Sequence, residues 1–463
     1  MSDNNLKRSL LNTKKNGHLL ASPVDISAAD NFNEQYKRFI NIAKTERDAV
    51  REAVRLAEAE GFRPFSRGDK LSRGDKIYRI NRGKSIVFAV IGGDLSQGAN
   101  IAAAHIDSPR IDLKPNPLYE DKELAYFKTH YYGGIKKYHW VNIPLELRGA
   151  VALKDGSVID ISLGGAENEP VLVITDLLIH LSQEQMKKTL AEGITGEGLN
   201  ALVGSIPFKG DDGGDLVKLS VMSILNEKYG IEEADLCSAE LSLVPAMDAR
   251  DVGLDRSLVG SYGHDDRVCS FDALRAIIDV EAPEKTAVCI LADKEEIGSE
   301  GVSGMQSGFF DTFMEDICEV YGNVPLRVCY ESSFCLSGDV TAAFDPNFAQ
   351  PYEALNSAKL NYGVGICKYT GSRGKSGASD ASAELVAKVR RIFDEAGVLW
   401  QICELGAVDA GGGGTVAMYM ANRNIDTLDA GVPVLSMHSP YEIVSKLDNF
   451  MTYKGILAIF KNA

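Results

Sequence analysis

The sequence has no uninterrupted apolar run near the roughly 20 residues that a helix needs to cross a bilayer, so its 463 residues predict no membrane-spanning helix. It also lacks an excess of positive charge. Lysine and arginine number 49 against 65 aspartates and glutamates, a formal net charge of −16. That balance argues against nucleic acid or an anionic membrane as the main partner. The eight cysteines form no C-x-x-C pair, so neither a zinc knuckle nor a redox motif of that spacing is supported, and buried, reduced thiols of a cytoplasmic protein are expected. No internal repeat or low-complexity tract is evident. Met1 to Asp30 carries Lys7, Arg8, Lys14 and Lys15 without the apolar core of a signal peptide; it reads as an arm, mobile or wrapped on a partner. Ala410 to Thr415 is glycine-rich but lacks the G-K-[ST] ending of a phosphate loop, and reads as backbone approaching a site closely.

What is present is an α/β rhythm interrupted once. Hydrophobic residues make up 45 % of the chain, and its length allows two or three domains. Residues 33–60 are expected to be helical. Ser85–Gly92 and Asn100–Asp107 read as strands joined by a glycine-containing turn. Between about 111 and 248 the texture is richer in strands and loops, with a hairpin signal at Leu145–Leu153 and Val158–Leu163 around the Lys154, Asp155, Gly156 turn. This block reads as an inserted domain, 111–248, inside a discontinuous domain of 1–110 and 249–463. The rhythm then returns: a helix over Arg267–Glu281, a buried strand over Thr286–Ala292, and later a strand at Tyr362–Tyr369, a helix from about Ser379 to Ala396 and a strand at Val432–Met437. A last helix is expected to start at a capping box of Ser439, Pro440 and Glu442, with His438 just before it.

Metal-ligand residue types stand at the ends of apolar runs in five places: His105 with Asp107, Asp265 with Asp266, Glu295 with Glu296, Asp339, and His438. Singly, each reads as a hydrogen-bonded histidine, a helix cap or a turn acid. Together they are expected on one edge of one sheet, where α/β proteins bind ligands. Two histidines, two aspartates and a glutamate suit a dinuclear metal centre, in which one carboxylate is shared and a position stays open for water. A further carboxylate must remain off the metal to move the water's proton.

Five segments carry a resemblance to a known family: His105-Ile-Asp-Ser-Pro-Arg110, Gly263-His-Asp-Asp-Arg-Val-Cys269, Asp293-Lys-Glu-Glu-Ile-Gly-Ser299, Ser337-Gly-Asp-Val-Thr-Ala-Ala-Phe-Asp-Pro-Asn347 and Met437-His-Ser-Pro-Tyr-Glu442. In this order they resemble the aminopeptidase I/aspartyl aminopeptidase family of dizinc exopeptidases. The resemblance implies a mixed α/β sheet flanked by helices with an inserted β-rich dimerisation domain. It implies two divalent ions, zinc first with manganese or cobalt as alternatives, and peptide substrates cut one N-terminal residue at a time with a bridging water. It also implies a homo-oligomer built from dimers, with a tetrahedral dodecamer as the family form. By position Asp265 would bridge both metals, His105 and Asp339 would complete one site, and Glu296 and His438 the other. Glu295 would be the general base and Asp107 would hold the His105 imidazole. Asp266 competes with Asp265 for the bridging role. His180, in Leu178-Ile-His-Leu181, matches a family histidine that reaches a neighbouring subunit's site; otherwise it would be a buried histidine in a strand. Arg373 and Lys375 lie near the place where acid-preferring relatives carry a basic specificity residue, or form a solvated basic loop. The same ligand logic serves dinuclear deacylases and carboxypeptidases, and a non-catalytic scaffold is the remaining alternative.

Overall fold

The central element is a nine-stranded mixed sheet, in the order Arg63–Pro64, Lys76–Asn81, Ser85–Val90, Thr286–Ala292, Ala99–His105, Phe334–Ser337, Asp426–Gly431, Val364–Cys367 and Trp400–Ile402. The computed structural model describes residues 10–210 and 212–463. Four neighbouring strands, from Thr286–Ala292 to Asp426–Gly431, run parallel. Apart from Asp426, their residues are buried on both faces, as helices on both sides of a parallel sheet require. Alternation assigns the faces. Ala102, Ala104, Cys289 and Leu291 pack under the helices Pro23–Ile42, Glu46–Ala59, His264–Asp279 and Lys446–Asn462, whereas Ile101, Ala103, Val288 and Ile290 meet Phe310, Phe313 and Ile317 of Phe309–Val320. Phe271 anchors the first side, its ring against Phe32, Tyr36 and Phe39 at centroid distances of 5.1–5.5 Å. No helix among the described residues is long and apolar enough to cross a membrane.

A second, seven-stranded antiparallel sheet is drawn from strands lying between Arg110 and Pro245, and the helix Leu216–Tyr229 covers it through Val217, Val221 and Leu225. The hairpin Leu145–Ala152/Val158–Leu163 belongs to it. A third sheet has five short strands, in the order Arg250–Val252, Leu258–Ser261, Glu442–Ser445, Pro433–Leu435 and Thr341–Ala342.

Several expectations are corrected. The helix expected over 33–60 is two helices, broken after Ile42 and restarted where the Thr45 side chain accepts from the Asp48 N–H. The first begins at Pro23 behind a capping box of Ser22 and Asp25, and Lys14 lies 3.4 Å over the Trp400 ring. From Lys14 onward the supposed arm thus touches the fold, with the Gly17 N–H donating to the Asn361 carbonyl, and residues 1–9 lie outside the described residues. Ser85–Val90 and Ala99–His105 are both strands as expected, joined through the 3₁₀ turn Leu95–Gln97, and Thr286–Ala292 lies between them in the sheet. No helix starts at Ser439. Glu442–Ser445 is a strand, and the last helix runs from Lys446 to Asn462 with Ser445 as its cap. Ser439 instead closes a local turn, its hydroxyl accepting from the Tyr441 N–H.

Candidate metal centre

Three of the sequence clusters leave adjacent parallel strands at their C-terminal ends: His105 ends one, Glu295 and Glu296 follow Ala292, and Asp339 follows Ser337. The other two come from the third sheet. Asp265 follows Leu258–Ser261 with non-helical backbone at the head of His264–Asp279, and His438, at φ +63°, stands in the turn between Pro433–Leu435 and Glu442–Ser445. The five clusters therefore converge from two sheets rather than from one edge.

Their ligand atoms form two groups that share one residue: His105, Asp265 and Asp339, and Asp265, Glu296 and His438, each within 4.8 Å. His105 Nε2 lies 3.3 Å from Asp265 Oδ1 and 3.9 Å from Asp339 Oδ1. His438 Nε2 lies 3.1 Å from Asp265 Oδ2 and 3.5 Å from Glu296 Oε2. Glu295 belongs to neither group, its Oε2 3.9 Å from His105 Nε2. Asp266 points elsewhere: it accepts the His105 N–H at 3.4 Å, and its Oδ1 is buried without a partner.

The glutamate pair faces one site because the chain turns sharply beneath it. Lys294 is left-handed, Glu295–Ile297 is a single 3₁₀ turn, and Gly298 closes it at φ +99°. Asp107 fixes that turn, accepting the Glu295 N–H at 3.1 Å on one oxygen and the Glu296 N–H at 3.2 Å on the other. It also sits 3.2 Å from His105 Nδ1 and accepts the Tyr132 hydroxyl at 2.8 Å. Asp107 lies beyond the end of the His105 strand, so the contact is made by a turn, not by a shared strand face. His438 Nδ1 lies 2.8 Å from the Gly134 carbonyl. Donation there leaves Nε2 facing the carboxylates.

Burial raises the Glu295 carboxyl to about 7, with Asp107 and Asp265 adding to the rise and His105 opposing it. Burial likewise pushes Glu296 and Asp339 well above the ordinary carboxylate range. Burial would lower His438, but the Asp265 hydrogen bond and the charge of Glu296 outweigh it and hold it at about 10. Such crowding of acids around two imidazoles is relieved by cations, which displace the shared protons. Divalent ions fit on other grounds too. Imidazole nitrogen and carboxylate oxygen are zinc ligand types, and Glu296 Oε1 is buried with no hydrogen-bond partner.

A cavity of about 270 Å³ opens on the groups and is lined by Glu295, Asp339, Thr415, Asp429 and the glycine backbone 412–414. The glycine run thus lies at the cavity, with Gly412 at φ +134° and a notional Cβ only 2.3 Å from the Gly371 carbonyl. Arg373 and Lys375 line a separate small cavity, and Lys375 pairs with Asp380 at 3.2 Å. His180 is absent from both groups. It sits exposed on the 3₁₀ turn Ile179–Leu181, neither buried nor in a strand. Three supports escaped sequence reasoning: Tyr132 and Gly134, which carry no pattern, and Glu442, which was absorbed into a capping motif.

A family model described as aminopeptidase I zinc metalloprotease (M18) matches residues 39–460. A probable M18 family aminopeptidase 1 of Clostridium acetobutylicum is 48 % identical over 439 residues, 93 % of this chain and 94 % of that protein. The crystal structure of an M18 aminopeptidase from Thermotoga maritima superposes with a TM-score of 0.94 at 44 % identity, covering 98 % of this chain and 100 % of that one. That of aminopeptidase I from Clostridium acetobutylicum gives 0.92 at 44 % identity with the same coverage. With sequence and fold matched along nearly its whole length, the chain belongs to the M18 family of aminopeptidase I zinc metalloproteases and is an aminopeptidase.

Proposed function

We propose that the protein removes single N-terminal residues from peptides at a dinuclear centre in which Asp265 is the shared ligand. His105 and Asp339 complete one position, and Glu296 and His438 the other. The observation that carries this reading is Asp265 itself, whose Oδ1 lies 3.3 Å from His105 and whose Oδ2 lies 3.1 Å from His438. Zinc is the expected occupant, with manganese and cobalt as alternatives. Bound there, the ions supply Lewis-acid polarisation of the scissile carbonyl and acidify a water. Glu295 stands outside both groups on the cavity wall. From there its carboxylate takes the water's proton and returns it to the leaving amine. Asp107 keeps Glu295 and Glu296 in register through their backbone N–H groups. The acidic wall favours a free, protonated α-amine over a blocked one, and a wider cleft of about 910 Å³ beyond His438 leaves room for the rest of the peptide.

Residues 111–248 act in this reading as a dimerisation or lid unit inserted in a catalytic domain of 1–110 and 249–463. His180 would serve a neighbouring copy. Exposed Leu177, Leu178, Ile179 and Leu181 surround it, an apolar cluster of the kind that a second copy covers. The assembly would be a homo-oligomer built from dimers, up to the dodecamer that the family implies. The proposed compartment is the cytoplasm, in keeping with eight cysteines that form no disulfide.

The test compares a free-amine peptide with its N-acetylated twin. An aminopeptidase turns over the first and leaves the second intact. Equal turnover of both would assign the centre to a deacylase or another hydrolase instead.

A further inference from the structure

We infer that Glu442 is a positioning residue for the His438 side of the centre, one carboxylate that fixes the backbones of Asp265 and His438 relative to each other; this rests on the reading of both as ligands. Glu442 Oε1 accepts the His438 N–H at 2.7 Å, and Oε2 accepts the Asp265 N–H at 3.1 Å. Both donors belong to residues outside regular structure. His438 is left-handed between two strands, and Asp265 is non-helical at the head of its helix. Neither N–H is satisfied by a helix or ladder bond, so each needs another acceptor, and the Glu442 carboxylate supplies it.

Glu442 is well placed to do this because its own position is fixed from two directions. Its strand pairs with Leu258–Ser261, Glu442 opposite Ser261, and with Pro433–Leu435, Ile443 opposite Leu435. Those two partner strands are the ones that lead into Asp265 and His438. The side chain is 1 % exposed, so water does not compete for its oxygens. The Glu295 side uses the same device, since Asp107 divides its two oxygens between the N–H groups of Glu295 and Glu296. The backbones of Glu295 and Glu296 on one side, and of Asp265 and His438 on the other, are thus each tied by a buried acid that need not touch the metal.

The chemistry of the clamp requires a carboxylate. Both oxygens accept, whereas a glutamine offers one accepting oxygen and an NH₂ that would face an N–H. Glu442→Gln therefore keeps size and shape but breaks one of the two ties. Loss of such an outer partner weakens metal binding by about 10–100-fold.

The experiment measures zinc affinity by competition with a chromophoric chelator for the wild type, Glu442→Gln and His438→Ala, together with the visible spectrum of the cobalt-substituted proteins and the melting of the metal-free ones. The expected result is zinc binding about 10–100-fold weaker in Glu442→Gln, with altered cobalt bands and cooperative melting retained. Wild-type zinc affinity and an unchanged cobalt spectrum in Glu442→Gln, even with a lowered melting temperature, would show a merely structural role and overturn the inference. If His438→Ala also keeps wild-type zinc binding, it is the ligand reading that fails. Glu442→Asp, too short by a methylene to hold both ties, gives the same decision should the glutamine variant not fold: weakened zinc binding supports the clamp and wild-type binding overturns it.

Discussion

His105 and His438 occupy corresponding places on either side of Asp265, but they are held in different ways. The His105 side chain is 1 % exposed, at the end of a strand in the middle of the nine-stranded sheet. The His438 side chain is 33 % exposed and stands on a left-handed turn in the five-stranded sheet, steadied by the Gly134 carbonyl and by Glu442. One half of the centre thus inherits its rigidity from the core, where moving a ligand means disturbing close packing. In the other, Glu296 still follows a buried strand, but His438 depends on a few hydrogen bonds between segments far apart in sequence. For the proposed dinuclear centre, the difference predicts two metal positions of unequal permanence, with the His438 side exchanging first.

The largest effect should come from the residue that both halves share. Asp265→Ala removes a ligand from each group at once, so metal content should fall from about two ions per chain to near none and peptide turnover to the blank rate. Retention of one full equivalent of metal would show that the halves are independent, with Asp265 serving only one. Glu295→Gln tests the residue that belongs to neither half. Turnover should fall by about 10²–10⁴-fold with both metals retained, and a variant that keeps its metals and full turnover would remove Glu295 from the mechanism. The next effect is kinetic. Under a strong chelator, zinc should leave in two phases separated by about tenfold or more, the range over which outer partners tune affinity. His438→Ala should abolish the faster phase and spare the slower. A single phase in the wild type would erase the distinction between the halves.

The same contrast explains what could be read in the sequence. His105, Glu296 and Asp339 were legible as a cluster because each ends a short apolar run, and such runs become parallel strands whose C-terminal ends meet. Asp265 and Asp266 were separable only by the family resemblance, which favours Asp265, since adjacent acids before a helix look alike until the fold turns one toward the cavity and the other toward the His105 N–H. His438 was legible as a residue but not in its setting. Ser439 and Glu442 have the spacing of a capping box, yet the strand that claims Glu442 lies about 180 residues upstream at Leu258–Ser261, beyond any local window. A capping box that does form, Ser22 with Asp25, was passed over in what read as an arm. Local patterns fix local turns, and the choice between helix and strand at Glu442 was made by a distant partner.

The smallest effect concerns how the third sheet is fastened to the rest of the molecule. Asp251 lies on its edge strand Arg250–Val252 and receives Lys37 of the first long helix at 2.8 Å, Lys446 of the last helix at 3.1 Å and Arg256 at 2.7 Å. Burial would raise its carboxyl, but the hydrogen bonds from Lys37, Arg256 and Lys446 outweigh that and hold it well below the ordinary range. A carboxyl depressed in the fold stabilises fully above its unfolded pKa of about 3.9, and the contribution is lost as pH falls below that value, because the unfolded chain takes up the proton first. Asp251→Asn should therefore lower stability by about 1.5–3 kcal/mol at pH 7, the range for hydrogen bonds to charged groups. Urea midpoints of the two proteins should begin to converge only as pH falls below about 4, and continue to do so toward the depressed folded pKa, since only the wild type loses this contribution there. A gap that stays constant across that range would mean that the charge of Asp251 is not what ties the His438 side to the helices.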